Sequence, residues 1–80
     1  MKTVREAIAC RIKELLKQKN VTKYRLAMNS GVPPTTISAI INRDFEDVKL
    51  SKIIQIAGGF DMTVAQFLDS PLFDEDNLNL

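Results

Sequence analysis

The segment from Thr22 to Asn42 constrains this chain more than any other. Thr22 carries a side-chain oxygen of the kind that caps helix starts. Leu26 and Ala27 then give an inward face to a short helix running from Lys23 to about Asn29. Gly31 follows where a helix ends in the left-handed conformation that other residues adopt only with strain. Pro34 suits the first turn of a second helix, because its missing amide needs no partner there. This helix reaches Ile41 or Asn42 and turns Ile37, Ile40 and Ile41 inward. A small Ala27 is needed where the two helices cross, since a bulky side chain would force their axes apart. Val32 and Ile37 pin the second helix to a core, which leaves Pro34, Thr35, Ser38, Ala39 and Asn42 on its outer face.

The flanking residues predict three more helices. Thr3 with Glu6 forms a capping box that opens a first helix to about Lys19. Val4, Ile8, Ile12 and Leu15 form its apolar stripe, widened by Leu16. Asn20 and Val21 break that run. Residues 42–47 read as a loop, with Asp47 capping a fourth helix over Val48 to Gly59 that buries Leu50, Ile53, Ile54 and Ala57. Gly58 and Gly59 together cost about 2 kcal/mol of helix propensity, so this end either frays or packs closely. Thr63 and Gln66 repeat the capping box for a short fifth helix containing Val64, Phe67 and Leu68, stopped at Asp69-Ser70-Pro71. The expected architecture is all-α: a five-helix domain over residues 1–70 and an acidic, apolar tail over 71–80. That tail is partly ordered or associated with a dimer.

Composition narrows the function. Eighty residues, 45% hydrophobic and 26% charged, make one small globular domain. No apolar run approaches the roughly 20 residues of a membrane span. Met1 to Glu6 contain no hydrophobic signal core, so a cytoplasmic location is expected. Cys10 is the one cysteine and histidine is absent, which argues against a disulfide, a zinc site or an imidazole-based catalyst. Cys10 lies opposite the apolar stripe and reads as a spectator. The acidic cluster Asp74-Glu75-Asp76 sits on a tail that cannot hold catalytic geometry, so the chain is not expected to be an enzyme or to need a cofactor or metal. The net charge of +1 conceals an asymmetry. Residues 1–43 carry nine basic and two acidic side chains, whereas residues 44–80 carry two basic and eight acidic ones. Such a division points to a basic face for a polyanion.

The string Leu26-Ala27-x-x-x-Gly31-Val32-x-x-x-x-Ile37-Ser38-x-Ile40 resembles the lambda-repressor-like (Cro/cI, XRE) helix-turn-helix family. Leu50-x-x-Ile53-Ile54-x-Ile56-Ala57 and Phe60-x-Met62-Thr63-Val64-x-x-Phe67-Leu68 resemble its fourth and fifth helices, so the likeness covers residues 5 to 68 in register. The resemblance implies a sequence-specific regulator of transcription that binds double-stranded DNA, a repressor of phage, mobile-element or antitoxin type. The helix over about 34–42 would enter the major groove, with Pro34, Thr35, Ser38 and Ala39 at base-reading positions. Thr22, Lys23, Thr36, Asn42 and Arg43 would fall at phosphate-contacting positions. A homodimer is implied, drawing on some of Phe60, Phe67, Leu72, Phe73, Leu78 and Leu80. No small-molecule effector is evident.

The chain departs from the family in informative places. Pro33 stands where Ser or Thr often caps the recognition helix, and Lys23 and Pro34 stand where Gln is frequent. Leu16 and Ile41 replace an Arg–Glu pair together, which avoids leaving one buried charge without its partner. Thr35, Ser38 and Ala39 lack the bidentate reach of Arg, Asn or Gln, so specificity would rest on thymine-methyl contacts, on DNA shape, or on few contacts. Short groove-facing residues and an acidic second half also fit a different reading, a module of the same fold that binds protein instead of DNA. Tyr24 either hydrogen-bonds phosphate or covers the first helix, and packing is the favoured expectation. Lys2, Lys13, Lys17 and Lys19 are expected to form an ordinary solvated face.

Overall fold

The computed structural model describes residues 1–80 and contains five α-helices in series. They are α1 (Val4–Gln18), α2 (Lys23–Ser30), α3 (Pro34–Ile41), α4 (Leu50–Gly59) and α5 (Val64–Leu68). Both expected capping boxes form. Thr3 Oγ1 accepts from the Glu6 amide at 3.3 Å, while Glu6 Oε1 accepts from the Thr3 amide at 3.2 Å and its hydroxyl at 2.9 Å. Thr63 and Gln66 make the same exchange at 3.1 and 2.9 Å. Thr22 caps α2 through the Arg25 amide at 3.0 Å. Each device satisfies amides that a first helical turn leaves free.

The core gathers Ile8, Ile12 and Leu15 from α1, Leu26 and Ala27 from α2, and Ile37, Ile40 and Ile41 from α3. Val32, Ile53, Ile56, Ala57, Phe60 and Phe67 complete it. Helix α1 packs on α3, α2 on both α3 and α4, and α4 on α5. Leu16 packs against the same cluster that Ile41 joins, so both apolar replacements serve the core.

Helix α4 differs from its sequence expectation in two ways. It begins at Leu50 rather than Val48, and its cap residue Lys49 offers no side-chain bond. Asp47 instead holds the Val48 amide at 2.9 Å, two residues ahead of the helix. Leu50 and Ile54, expected inside, are 60% and 49% exposed, and Ile56 joins Ile53 and Ala57 in the core. The apolar residues of this helix spread over one arc of roughly 160°, wider than the face it buries. Periodicity alone cannot choose which part of that arc is buried; docking against α2 and α5 chooses it. The glycine pair divides in function. A Cβ at Gly59 would lie 2.7 Å from Ser30 Cβ and 2.9 Å from Leu26 Cδ1, so α4 crosses α2 in direct contact there. A Cβ at Gly58 would meet open space.

A buried cation ties α1 to α5. Arg11 donates from Nε to the Phe67 carbonyl at 2.7 Å and from Nη2 to the Gln66 carbonyl at 3.1 Å. Its Nη1 lies 2.6 Å from Glu14 Oε1. The guanidinium thus satisfies the Phe67 carbonyl at the end of α5 and shares the Gln66 carbonyl with the Asp69 amide, which donates to it at 3.2 Å. Residues 71–80 fold back on the domain through two 3-10 turns, Pro71–Phe73 and Glu75–Asn77. The Lys2 amide donates to the Asn77 carbonyl at 3.0 Å, and the Asn79 amide to the Lys2 carbonyl at 2.7 Å. The Phe73 ring sits 6.2 Å from that of Phe67. Of the apolar residues expected to supply a two-fold interface, Phe60 and Phe67 are buried, Leu72, Phe73 and Leu78 are half-buried, and Leu80 is exposed.

Two outcomes follow for stability. Gly58→Ala should raise unfolding free energy by about 0.5–1 kcal/mol, whereas Gly59→Ala should lower it, because the added methyl meets α2. Paired urea titrations check the opposite signs. Hydrogen bonds from the Thr3 amide and hydroxyl hold the Glu6 carboxyl below its ordinary value, helped by Arg43 and Lys2 and opposed by desolvation. A depressed native value means that this stabilisation is complete above the unfolded value and is lost as pH falls through the native one. Glu6→Gln keeps the cap geometry without the charge. Its stability deficit at neutral pH should therefore shrink as the solution is acidified below about pH 4, and a deficit constant with pH would contradict the assignment.

Candidate nucleic-acid interface

Helices α2 and α3 meet through a turn held by local hydrogen bonds. Gly31 adopts φ 74°, and its amide donates to the Ala27 carbonyl at 3.0 Å. Ser30 Oγ accepts from the Val32 amide at 3.1 Å, which sends Val32 into the core. Pro33 then caps α3 without a side-chain hydrogen bond, as its lack of a hydroxyl requires. The Pro33 carbonyl accepts from the Thr36 and Ile37 amides at 3.0 and 3.1 Å. Neither Pro33 nor Pro34 has an amide hydrogen, so Thr35 carries the one free amide at this helix start.

The inner side of α3 is Ile37, Ile40 and Ile41, all buried. Thr35, Ser38 and Ala39 share the opposite face, Thr35 exposed and the other two half-buried, while Pro34 is exposed at the helix start on the side toward α2. Thr22 and Lys23 are exposed at the start of α2, and Asn42 and Arg43 are exposed just past α3. The Thr22 hydroxyl is engaged by its cap. Thr36 stands apart from the others: it is half-buried and lines a hollow with Ile40, Phe45 and Val48, toward α4.

Arg43 adopts a left-handed conformation, φ 64°, that ends α3 sharply. Its guanidinium lies 3.9 Å from Glu6 Oε2, a contact weak enough in solvent to leave the cation free to exchange partners. Immediately beyond it, Asp44, Glu46 and Asp47 lie on an exposed loop. The basic face thus ends abruptly at the end of α3.

Several residues near this surface were not evident from sequence. Tyr24, expected to cover α1, is 67% exposed, and Met28 one turn later is 60% exposed. Together with Pro33 and Pro34 they line a shallow hollow beside Gly31. Arg25 and Asn29 join Thr22 around a polar hollow at the start of α2. The i, i+4 spacing of Tyr24 and Met28 opposite Leu26 and Ala27 was the available signal.

No curated protein matches the chain. Among solved structures it is similar to the prophage Lp1 protein 11, whose crystal structure is 28% identical in sequence with a TM-score of 0.79. The match covers 94% of this chain and 99% of that one. Residues 11–71 fit the family model of the Cro/C1-type HTH DNA-binding domain, and that span contains the whole α2–turn–α3 unit. The chain belongs to the Cro/C1-type helix-turn-helix DNA-binding family.

Proposed function

We propose that this protein is a homodimeric transcriptional repressor of phage, mobile-element or antitoxin type that recognises double-stranded operator DNA and acts by occupying it. The observation that carries the reading is the outward face of α3, flanked by exposed cations at the start of α2 and beyond the end of α3. Such an arrangement suits insertion of α3 into a major groove, with backbone phosphates held on either side. Pro34, Thr35, Ser38 and Ala39 face the bases in this reading. Thr22, Lys23, Asn42 and Arg43 meet phosphates, and Thr36, turned toward α4, supports the helix from the side. The location is cytoplasmic in this reading; in keeping with it, no helix is long and apolar enough to cross a membrane.

The solvent face of α4 supports the dimer. Leu50, Ser51, Ile54, Gln55 and Gly58 lie exposed along it, and none carries a charge. Uncharged, partly apolar faces of this kind suit protein contact. The acidic loop Asp44–Asp47 favours a second reading, in which the same fold binds a basic protein partner, because those carboxylates would oppose phosphates near the end of α3.

Fluorescence anisotropy on random duplex across a salt series separates the two readings. Affinity should fall linearly on logarithmic axes, and Lys23→Ala should reduce the slope by about one unit. Absence of salt-dependent DNA binding would transfer the function to a protein partner. The oligomer is tested separately by sedimentation. Ile54→Arg should leave helical content intact, since the site is half-exposed, and shift the protein toward monomer. A wild-type chain that stays monomeric both free and on DNA would remove the dimer.

A further inference from the structure

We infer that this chain reads DNA chiefly through the C5 methyl groups of thymine, using an apolar surface at the start of α3. The inference rests on the DNA-binding reading above and specifies which base feature that site recognises. Purine edges in the major groove present acceptors, which call for protein donors; thymine presents a methyl group, which calls for apolar contact. The beginning of α3 offers few donors, namely the Thr35 amide and the hydroxyls of Thr35 and Ser38. Pro33 and Pro34 have no amide hydrogen, and the Thr36 and Ile37 amides are already bound to the Pro33 carbonyl. No Arg, Lys, Asn or Gln lies within α3 itself; Asn42 comes only after its last residue.

The same surface is rich in exposed carbon. The pyrrolidine rings of Pro33 and Pro34 are exposed, as is Thr35 with its methyl group. Ala39 adds a second methyl group one turn along, half-buried on the same face. Met28 and Tyr24 extend the patch from α2 around the hollow beside Gly31. Proline rings and methyl groups on a rigid helix start need no ordering on binding, so their contacts carry little entropic cost. The proline rings, which carry no donor, exclude water from a thymine methyl without stranding a hydrogen-bonding group of their own. Thr35 is central, because it points straight outward between Ser38 and Ala39 by helical register.

The test begins by selecting preferred duplexes from a random library with the wild-type chain. In the selected duplex each thymidine is then replaced by deoxyuridine, which deletes the methyl group and keeps the hydrogen-bonding edge. At one or more positions per half-site, deoxyuridine should weaken binding about fourfold, the effect of one buried methyl group. Two variants assign the contact. Thr35→Ser removes the side-chain methyl and keeps the hydroxyl, so it should abolish the penalty at its position, whereas Thr35→Val should retain it. Pro34→Ala tests the neighbouring ring in the same way. Deoxyuridine that is tolerated at every position would overturn the inference while leaving DNA recognition intact. So would a penalty that is identical in wild type, Thr35→Ser and Pro34→Ala, since that would place the effect in DNA shape. Failure to enrich any sequence over random duplex would remove both this inference and sequence-specific reading.

Discussion

Helix α4 can rest on α2 only because residue 59 has no side chain. With Ser30 Cβ and Leu26 Cδ1 both inside 3 Å of where a Cβ would stand, the two helices touch backbone to side chain at that point. Leu26 and Ala27 are thereby sealed into the core, and Ser30 is free to bind the Val32 amide at the turn. The direction of α3 follows from that turn. A glycine that lowers helix propensity at the end of α4 is thus what sets the orientation of a helix eighteen or more positions earlier in the chain.

The second organising interaction is Arg11. It joins α1 to the Phe67 and Gln66 carbonyls of α5 and to Glu14, so each of its three guanidinium nitrogens has a hydrogen-bond partner. Through it the first and fifth helices are tied together. The tail adds a lighter clasp, since Lys2 exchanges backbone hydrogen bonds with Asn77 and Asn79. Of the candidate residues on α2 and α3, Thr22 and Arg43 also serve the scaffold, as a cap and as a neighbour of Glu6, and Thr36 lines the hollow toward α4.

Charge and shape are assigned to different elements. Lys23, Arg25 and Arg43 supply exposed cations around a helix that has none of its own. This separation suits a protein in which association comes from phosphates and discrimination from small apolar contacts. The acidic loop after Arg43 limits the basic surface on one side, which would favour a confined footprint over extended backbone contact.

Much of this protein is legible in its sequence because its helix ends are written locally. Thr3 with Glu6, Thr22, Gly31, Pro34 and Thr63 with Gln66 act through neighbours three or four residues away, and each appears in the structure where the pattern puts it. The inward faces of α1, α2 and α3 were legible too, because each has a single apolar arc. Helix α4 was not. Its apolar arc is wider than the face it buries, and only contact with α2 and α5 selects Ile53, Ile56 and Ala57 while leaving Leu50 and Ile54 outside. Arg11 left one visible sign, a charge within the stripe of Ile8, Ile12 and Leu15, but its partners lie 55 and 56 residues away. Tyr24 and Met28 are exposed beside the turn and the start of α3, a placement that follows from how α3 docks rather than from their own spacing. Local hydrogen bonds determine where helices start and stop; which faces they show to water is decided by packing between residues distant in sequence.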